Sequence, residues 1–341
     1  MTTAPTSPTS PSPPWPTRVT LVGLGAIGRE VLKAILGKSS LRIVAVADPA
    51  PAYLGRDAGV ITDVGPLGLP VVGTLDEALG IPTDVVVVLT TSGSAEMLPI
   101  VELAAARGAH VVSSCEDLAF AEHATPEVAR RIDAVARSGG IAVLGTGVNP
   151  GFVMDRLPLV LAGACVAVRG VSVQRVVDAA KRRAPLRAKV GAGQSVEEFQ
   201  AGVAARRFGH RGLPESVVLL ATGLGWKLDD VRATIAPVVA TLAEPREGID
   251  PGRVAGLRQT ASGIVGGEER IRLDLEMSVA APNPRDHVRI DGDPPLDVLI
   301  TGGTQGDRGT VGTVVNALGA IRTAAPGLRH VSEMALLGIV S

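Results

Sequence analysis

Residues 112–120, VSSCEDLAF, bring a thiol, two carboxylates and an aromatic ring together at the end of an apolar run. A short apolar run followed by acids reads as a buried strand opening into a turn. In an open parallel sheet, that C-terminal strand edge is where ligands bind. Placed there, Glu116 can do proton chemistry. A hydride leaves or joins a carbon only as a proton moves on the neighbouring heteroatom, and a carboxylate with raised pKa beside an apolar cofactor face can exchange it. Asp117 is then the solvated, capping member of the pair. The two acids could also simply cap the helix that follows, so spacing alone leaves both roles open. Cys115 has no histidine partner and reads as packing rather than as a nucleophile.

A second constellation lies upstream. Gly23-Leu24-Gly25-Ala26-Ile27-Gly28 fits G-x-G-x-x-G, follows a β-rich run and opens a helically spaced one. Asp48 closes the next strand, 20 residues after Gly28, where a ribose 2′-hydroxyl is held. Gly23 permits the tight turn, Gly25 lets backbone N–H groups approach a pyrophosphate, and Gly28 lets helix and strand pack closely. The helix N-terminus at Ala26 and Ile27 offers partial positive charge to the phosphates. Asp48 argues for NAD, because a carboxylate repels a 2′-phosphate; Arg56 offsets this and keeps NADP open. LTTSGS (89–94), with Thr90, Thr91 and Ser92, supplies hydroxyls and backbone groups at the same edge, or is an ordinary capping loop.

Both constellations need elements to hold them. The chain has 341 residues, 46% of them apolar, which allows a large core and two domains. RVTLVGLGAIGREVLKAIL (18–36) reads as strand, loop and helix. LRIVAVAD (41–48), LPVV (69–72), TDVVVVLTT (83–91), HVVSS (110–114) and IAVLG (141–145) read as further strands. LDEAL (75–79), SAEMLPIVELAAARG (94–108) and TPEVARRIDAVARSGG (125–140) read as helices, the last with Thr125 at its N-cap and Pro126 at N1. This alternation predicts a Rossmann-type, doubly wound parallel sheet, an α/β dinucleotide-binding domain over 17–150.

Past GTGVNPGF (145–152) the rhythm changes. A helix in DRLPLVLAGA, a strand in VRGVSVQRVVDA and helices near 195–207 and 214–224 precede five β-rich segments: TIAPVVA, RQTASGIV, EERIRLDLEMSVAA, HVRIDG and LDVLITGG. VGGEE (265–269) marks a hairpin turn between two of them. The pattern predicts an α+β substrate domain over 151–307 with a mostly antiparallel sheet. RGTVGTVVNALGAIRTA (308–324) returns to helical spacing, and the segment 308–341 is expected back against the first domain. Thr304 or Gln305 is expected to reach the cleft, and Asp307 to cap the returning helix.

Acids and bases nearly cancel, with a net charge of −1, so charge recruits no nucleic acid and no membrane surface. Partners are expected to be small molecules. Two cysteines, Cys115 and Cys165, form no framework and no zinc site, which points to a cytoplasmic context. Histidines 110, 123, 210, 287 and 330 show no metal spacing, so no metal is expected, and each reads as surface or locally bonded. The Pro/Ser/Thr-rich residues 1–16 read as a disordered tail without the regions of a signal peptide.

Taken in order, GLGAIGREV, SSCEDLAF, GTGVNPGFVMD, QRVVDAAKRRAPLRAKVGAG, AGLRQTASGI and ITGGTQGDRGTVGTVVNAL resemble the 2,4-diaminopentanoate dehydrogenase family and its relatives, the native amine dehydrogenases, within the wider dihydrodipicolinate-reductase-like group. The likeness runs from about residue 18 to the C-terminus. It implies NAD- or NADP-dependent oxidative deamination of a primary amine, reversible as reductive amination of a carbonyl with ammonia. It implies Glu116 as the catalytic acid/base, Cys115 and Asn149 beside the cofactor, and Phe152, Arg175, Val177, Gln259 and Thr304 around the substrate. Asn149 has the alternative reading of a turn residue before Pro150. Arg175 could pair bidentately with a substrate carboxylate, and Lys181, Arg182 and Arg183 could assist, or form a solvated face. Where amine dehydrogenases of simple carbonyls carry Asn, Tyr and His, this chain has Val177, Arg182 and Gln259, closer to the diaminopentanoate type. A homodimer through the second domain is also implied. Two alternatives remain. One is a reductase of the same group acting without ammonia, although the His-His-x-x-Lys stretch of true dihydrodipicolinate reductases is absent. The other is a non-catalytic NAD-binding sensor.

Overall fold

The computed structural model describes residues 16–181, 188–244, 246, 248–335 and 339–340. The expected tail, apart from Pro16, and Arg182 and Arg183 therefore lie outside the described residues.

The first half alternates strand and helix as the pattern requires. Strands β1 (Thr17–Val22), β2 (Leu41–Ala47), β3 (Val71–Val72), β4 (Val85–Val88), β5 (His110–Ser113) and β6 (Ala142–Gly145) are separated by helices that include α1 (Ala26–Leu36), α2 (Met97–Ala106) and α3 (Pro126–Ser138). With a late strand, β13 (Gly327–Arg329), they form a seven-stranded, all-parallel sheet in the order β13-β6-β5-β4-β1-β2-β3. Its strands are apolar on both faces because helices cover both. Along β4, Val85 and Val87 point into one core with Val31 and Leu32 of α1, while Val86 and Val88 point into the other with Val101 of α2 and Ile132 of α3. β13 carries only Gly-Leu-Arg and shows no periodicity, so nothing in the sequence announces it.

Pro126 does open α3, with Thr125 at the N-cap, but the threonine hydroxyl bonds Ser94 Oγ at 2.6 Å instead of the helix N–H groups. The hydroxyl is turned toward the loop after β4, and its observed partner is there.

The second half builds a mixed six-stranded sheet. After α4 (Arg156–Ala162) comes β7 (Ala167–Asp178), then α5 (Val196–Ala204) and α6 (Leu213–Gly223), then β8 (Asp230–Val239), β9 (Val254–Val265), β10 (Glu268–Ser278), β11 (Arg285–Asp293) and β12 (Leu296–Thr301). The order is β12-β11-β7-β10-β9-β8, with β7 and β10 parallel and every other pair antiparallel. The β9–β10 hairpin turns on Gly266 (φ 62) and Gly267 (φ 79), as VGGEE requires. Strand alternation sends Leu257, Ala261, Ile271 and Leu273 inward against Val217 and Leu220 of α6. The opposite face carries ion pairs such as Arg258–Glu276 and Arg272–Asp274, both at 2.8 Å.

Helix α7 (Gly306–Ala320) then crosses back, and its Val311, Val314, Val315 and Leu318 join the core beside Val31 and Leu32. Its N-cap is Gln305, not Asp307, which sits in the first helical turn.

Candidate active site

The turn from β1 into the first turn of α1 has three glycines with three different steric reasons. A Cβ on Gly28 would lie 1.9 Å from the Gly23 carbonyl oxygen, so only glycine lets the helix approach the strand. Gly23 has φ +99, and a Cβ there would meet Thr90 Cγ2 at 2.8 Å. A Cβ on Gly25 would meet nothing within 4 Å among the described residues. That residue is the N-cap of α1 and its cap site is not taken by a side chain, so the helix end presents an open cradle of the kind that accepts phosphate oxygens. The loop therefore fits a dinucleotide. Asp48 stands at the end of β2, buried, with Oδ2 accepting Leu24 N at 2.7 Å and Oδ1 accepting Ala50 N at 2.9 Å. Its first structural task is thus to brace the glycine loop. Arg56 is exposed and bonds the Ala52 carbonyl at 3.1 Å. Arg29, which no motif singled out, ties the Leu24 and Ile61 carbonyls and the Tyr53 hydroxyl together.

A cavity of about 290 Å³ opens where the C-terminal edge of the parallel sheet meets the second sheet. Ile27, Thr90, Thr91 and Ser92 line it from the first side, with Cys115 and Glu116 beyond them. Asn149 contributes from the GVNPG turn, and Arg175 and Val177 from β7. Nine of the residues expected at the site thus share one wall system. Gly23, Gly25, Ala26, Gly28 and Asp48 lie in the adjoining loop and strand end. Phe152 is packed with the second core, and neither it, Thr304 nor Gln259 lines the cavity.

Glu116 begins a 3-10 turn, Glu116–Phe120, separated from the end of β5 only by Ser114 and Cys115. It is half-buried on the cavity wall, and its carboxylate has no hydrogen bond or ion pair from the described residues. Neither acid caps the turn, whose N-cap Cys115 has no side-chain cap bond. Asp117 is not the solvated residue expected. It is largely buried, accepts Ser94 N at 3.3 Å and stands 3.6 Å from Arg211 Nη1. Burial raises its pKa, partly offset by Arg211. Cys115 is buried and its thiol is pushed up to about 12, chiefly by desolvation, which makes it a packing residue at neutral pH.

Asn149 is buried, and both amide atoms lack a partner among the described residues. An unsatisfied carboxamide on a cavity wall calls for a polar ligand group. The turn that carries it is rigid. Val148 N donates to Thr310 Oγ1 at 3.3 Å, and the fully buried Asp155 accepts from Gly151 N and Ser216 Oγ, both at 2.8 Å. Burial holds the Asp155 pKa up.

Three substrate-pocket expectations change. Arg175 is not free for a carboxylate: it is buried, with Nη1 on Asp286 Oδ1 at 2.7 Å and Nη2 on the Thr304 carbonyl at 2.8 Å. Thr304 holds this arrangement in turn, its N–H donating to Asp286 Oδ2 at 2.6 Å. Gln259 stands behind the wall, its amide donating to the His210 carbonyl at 2.9 Å and accepting His210 N at 3.0 Å. His210, read from the sequence as a surface or locally bonded residue, lines the cavity, and so do Lys189, Asp307 and Thr310. His210 sits on a loop, Lys189 at the end of a short helical stretch, and Asp307 and Thr310 near the start of α7, with no diagnostic spacing, so no sequence signal marks them.

A Rossmann-type sheet with a glycine cradle, and a cleft closed by a second sheet, define a dinucleotide-dependent oxidoreductase architecture. The family profile for the 2,4-diaminopentanoate dehydrogenase C-terminal domain matches residues 152–340, and that for the dihydrodipicolinate reductase N-terminus matches 17–135. The chain is 30% identical over 325 residues to 2,4-diaminopentanoate dehydrogenase of Acetoanaerobium sticklandii, covering 92% of each chain. It is 29% identical over 349 residues to an amine dehydrogenase of Streptomyces virginiae, covering 92% of this chain and 95% of that one. Its fold is that of an amine dehydrogenase from Mycobacterium smegmatis, with TM-score 0.82, 22% identity, and coverage of 94% and 97%. The chain belongs to the 2,4-diaminopentanoate dehydrogenase family, and is an NAD(P)-dependent oxidoreductase of the amine-acting type.

Proposed function

We propose that this enzyme interconverts a primary amine or diamino acid with the corresponding carbonyl compound and ammonia, with Glu116 as the acid/base. The observation that carries the reading is the Glu116 carboxylate, without a partner among the described residues, on the wall of the cavity beside the glycine cradle. A carboxylate without a protein partner can take an ammonium or amine, accept its proton, and steady the positive charge that an iminium carries. When bound, NAD(P) would supply or take up the hydride; Gly25 and the α1 N-terminus would hold its phosphates, on a loop that Asp48 braces. The Asn149 amide offers a donor and an acceptor to a carboxamide or to the substrate. Arg175, Asp286 and Thr304 fix the wall opposite rather than binding substrate charge. The direct test follows NADH oxidation with a panel of ketones, aldehydes and keto acids, with and without ammonium. Oxidation that requires ammonium is expected, and oxidation that runs equally without it overturns the reading.

A further inference from the structure

The loop Gly209–Gly212 is held far more tightly than a surface connection needs. Gly209 N donates to the Lys189 carbonyl at 3.3 Å, and Arg211 Nη1 stands 3.6 Å from Asp117 Oδ2. Gly209 (φ +126) and Gly212 (φ +94) adopt backbone open to glycine, and a Cβ on Gly212 would lie 2.5 Å from the Pro150 ring. Between them, both backbone polar groups of His210 are bonded by Gln259, a residue only 4% exposed on β9. Burying an amide costs free energy unless its hydrogen bonds are made, and both ends of this one are used on His210.

The ring is fixed as well. His210 Nδ1 lies 2.5 Å from the Arg211 carbonyl oxygen. A carbonyl can only accept, so Nδ1 carries the proton and Nε2 is the atom free to exchange one. Nε2 has no partner among the described residues, and His210 lines the same cavity as Glu116.

We propose that His210 is a second proton-exchanging residue, handling the oxygen while Glu116 handles the nitrogen; this rests on the amine dehydrogenase reading above. In the aminating direction the carbinolamine loses water: the C–O bond breaks, the nitrogen lone pair forms the C=N bond, and the imidazolium proton leaves Nε2 with the hydroxyl. Imidazolium and carbinolamine thus become imidazole, iminium and water, with one positive charge on each side. In the deaminating direction neutral Nε2 takes the proton from the water that adds to the iminium.

The test uses His210→Asn, which keeps a donor near the Arg211 carbonyl and removes Nε2, and His210→Gln. Each is assayed with NADH on a carbonyl plus ammonium, and on a preformed cyclic imine that the wild type reduces and that has no oxygen to lose. The carbonyl reaction is expected to slow about 10²-fold, as for loss of a general acid, with the imine reaction unchanged. The deuterium isotope effect from 4-deuterated NADH should fall towards 1 on the carbonyl alone. Gln259→Leu, which frees the loop but leaves the imidazole, should show the same selective loss to a smaller degree, whether or not the first variants fold. Equal slowing of both substrates, or of neither, overturns the proposal. A wild type indifferent to ammonium is a separate outcome, which removes the underlying reading and this inference with it.

Discussion

At the scale of single residues, the site separates groups by whether the protein already satisfies them. Glu116 and the Asn149 amide have no partner among the described residues, while Asp117, Arg175, Asp286 and Gln259 are engaged. Two adjacent acids can therefore differ widely in function. Glu116→Gln is expected to lower ammonia-dependent turnover by about 10²-fold or more with cofactor affinity retained. Asp117→Asn should change turnover far less, because an amide oxygen in the same place can still accept from the Ser94 amide and from Arg211. Steady-state kinetics of the two variants side by side check this, and equal activities would mean that the wrong acid has been assigned. The buried pair Arg175–Asp286 makes the opposite prediction. With side chains 4% and 1% exposed, Asp286→Ala removes the countercharge of a buried guanidinium and should cost about 3–5 kcal/mol in denaturant unfolding. A loss below about 1 kcal/mol would show that water reaches the pair.

At the scale of elements, the glycine loop separates a folding demand from a binding demand. Gly28→Ala drives a methyl to within 1.9 Å of the Gly23 carbonyl, so it should lower Tm and abolish cofactor binding together. Gly25→Ala meets open space, and should leave Tm nearly unchanged while weakening NAD(H) binding at least tenfold, measured by fluorescence titration. If Gly25→Ala bound cofactor normally, the cradle would not be the phosphate site. These elements were legible in the sequence because their causes are local: glycines at fixed offsets, a run of four valines buried on both faces, apolar positions at helical spacing. The 3-10 turn bearing Glu116 was legible for the same reason, as acids directly after a strand. What stayed hidden depends on partners far along the chain. Arg175 meets Asp286 111 residues later, and Gln259 meets His210 49 residues earlier. No spacing rule reaches across a sheet whose register is set by packing, so a positioning glutamine reads as a substrate contact and a cavity histidine as a bystander.

At the scale of the whole molecule, the end of the chain holds the acid-bearing segment in place. Helix α7 reaches the site through Thr310, and β13 then adds to the parallel sheet beside β6. The residue after β13, His330, stacks on Phe120 of the Glu116 turn with ring centroids 4.4 Å apart, and its Nε2 lies 3.2 Å from Glu122 Oε1. Burial disfavours charge on this histidine, but the hydrogen bond and charge of Glu122 outweigh it and raise its pKa. Burial likewise works against the Glu122 charge, and His330 reverses it, lowering that pKa. The histidine's contribution to stability is then full below its unfolded pKa of about 6.5 and is lost as pH rises through the raised folded value. The glutamate's is full above its unfolded pKa of about 4.3 and is lost as pH falls through the lowered folded value. Both are present together only in the mildly acidic range. Glu122→Gln should therefore lower Tm most near pH about 5.5 to 6, by an amount equivalent to at most about 1 kcal/mol, because Glu122 keeps 45% of its side chain exposed and water screens the pair. At pH above the raised folded value, where the imidazole is neutral in both states, the two proteins should melt within about a degree of each other. Thermal melts of wild type and variant across that range decide it: a gap in Tm that stays constant from acid to base would show that the contact is made by packing and not by charge.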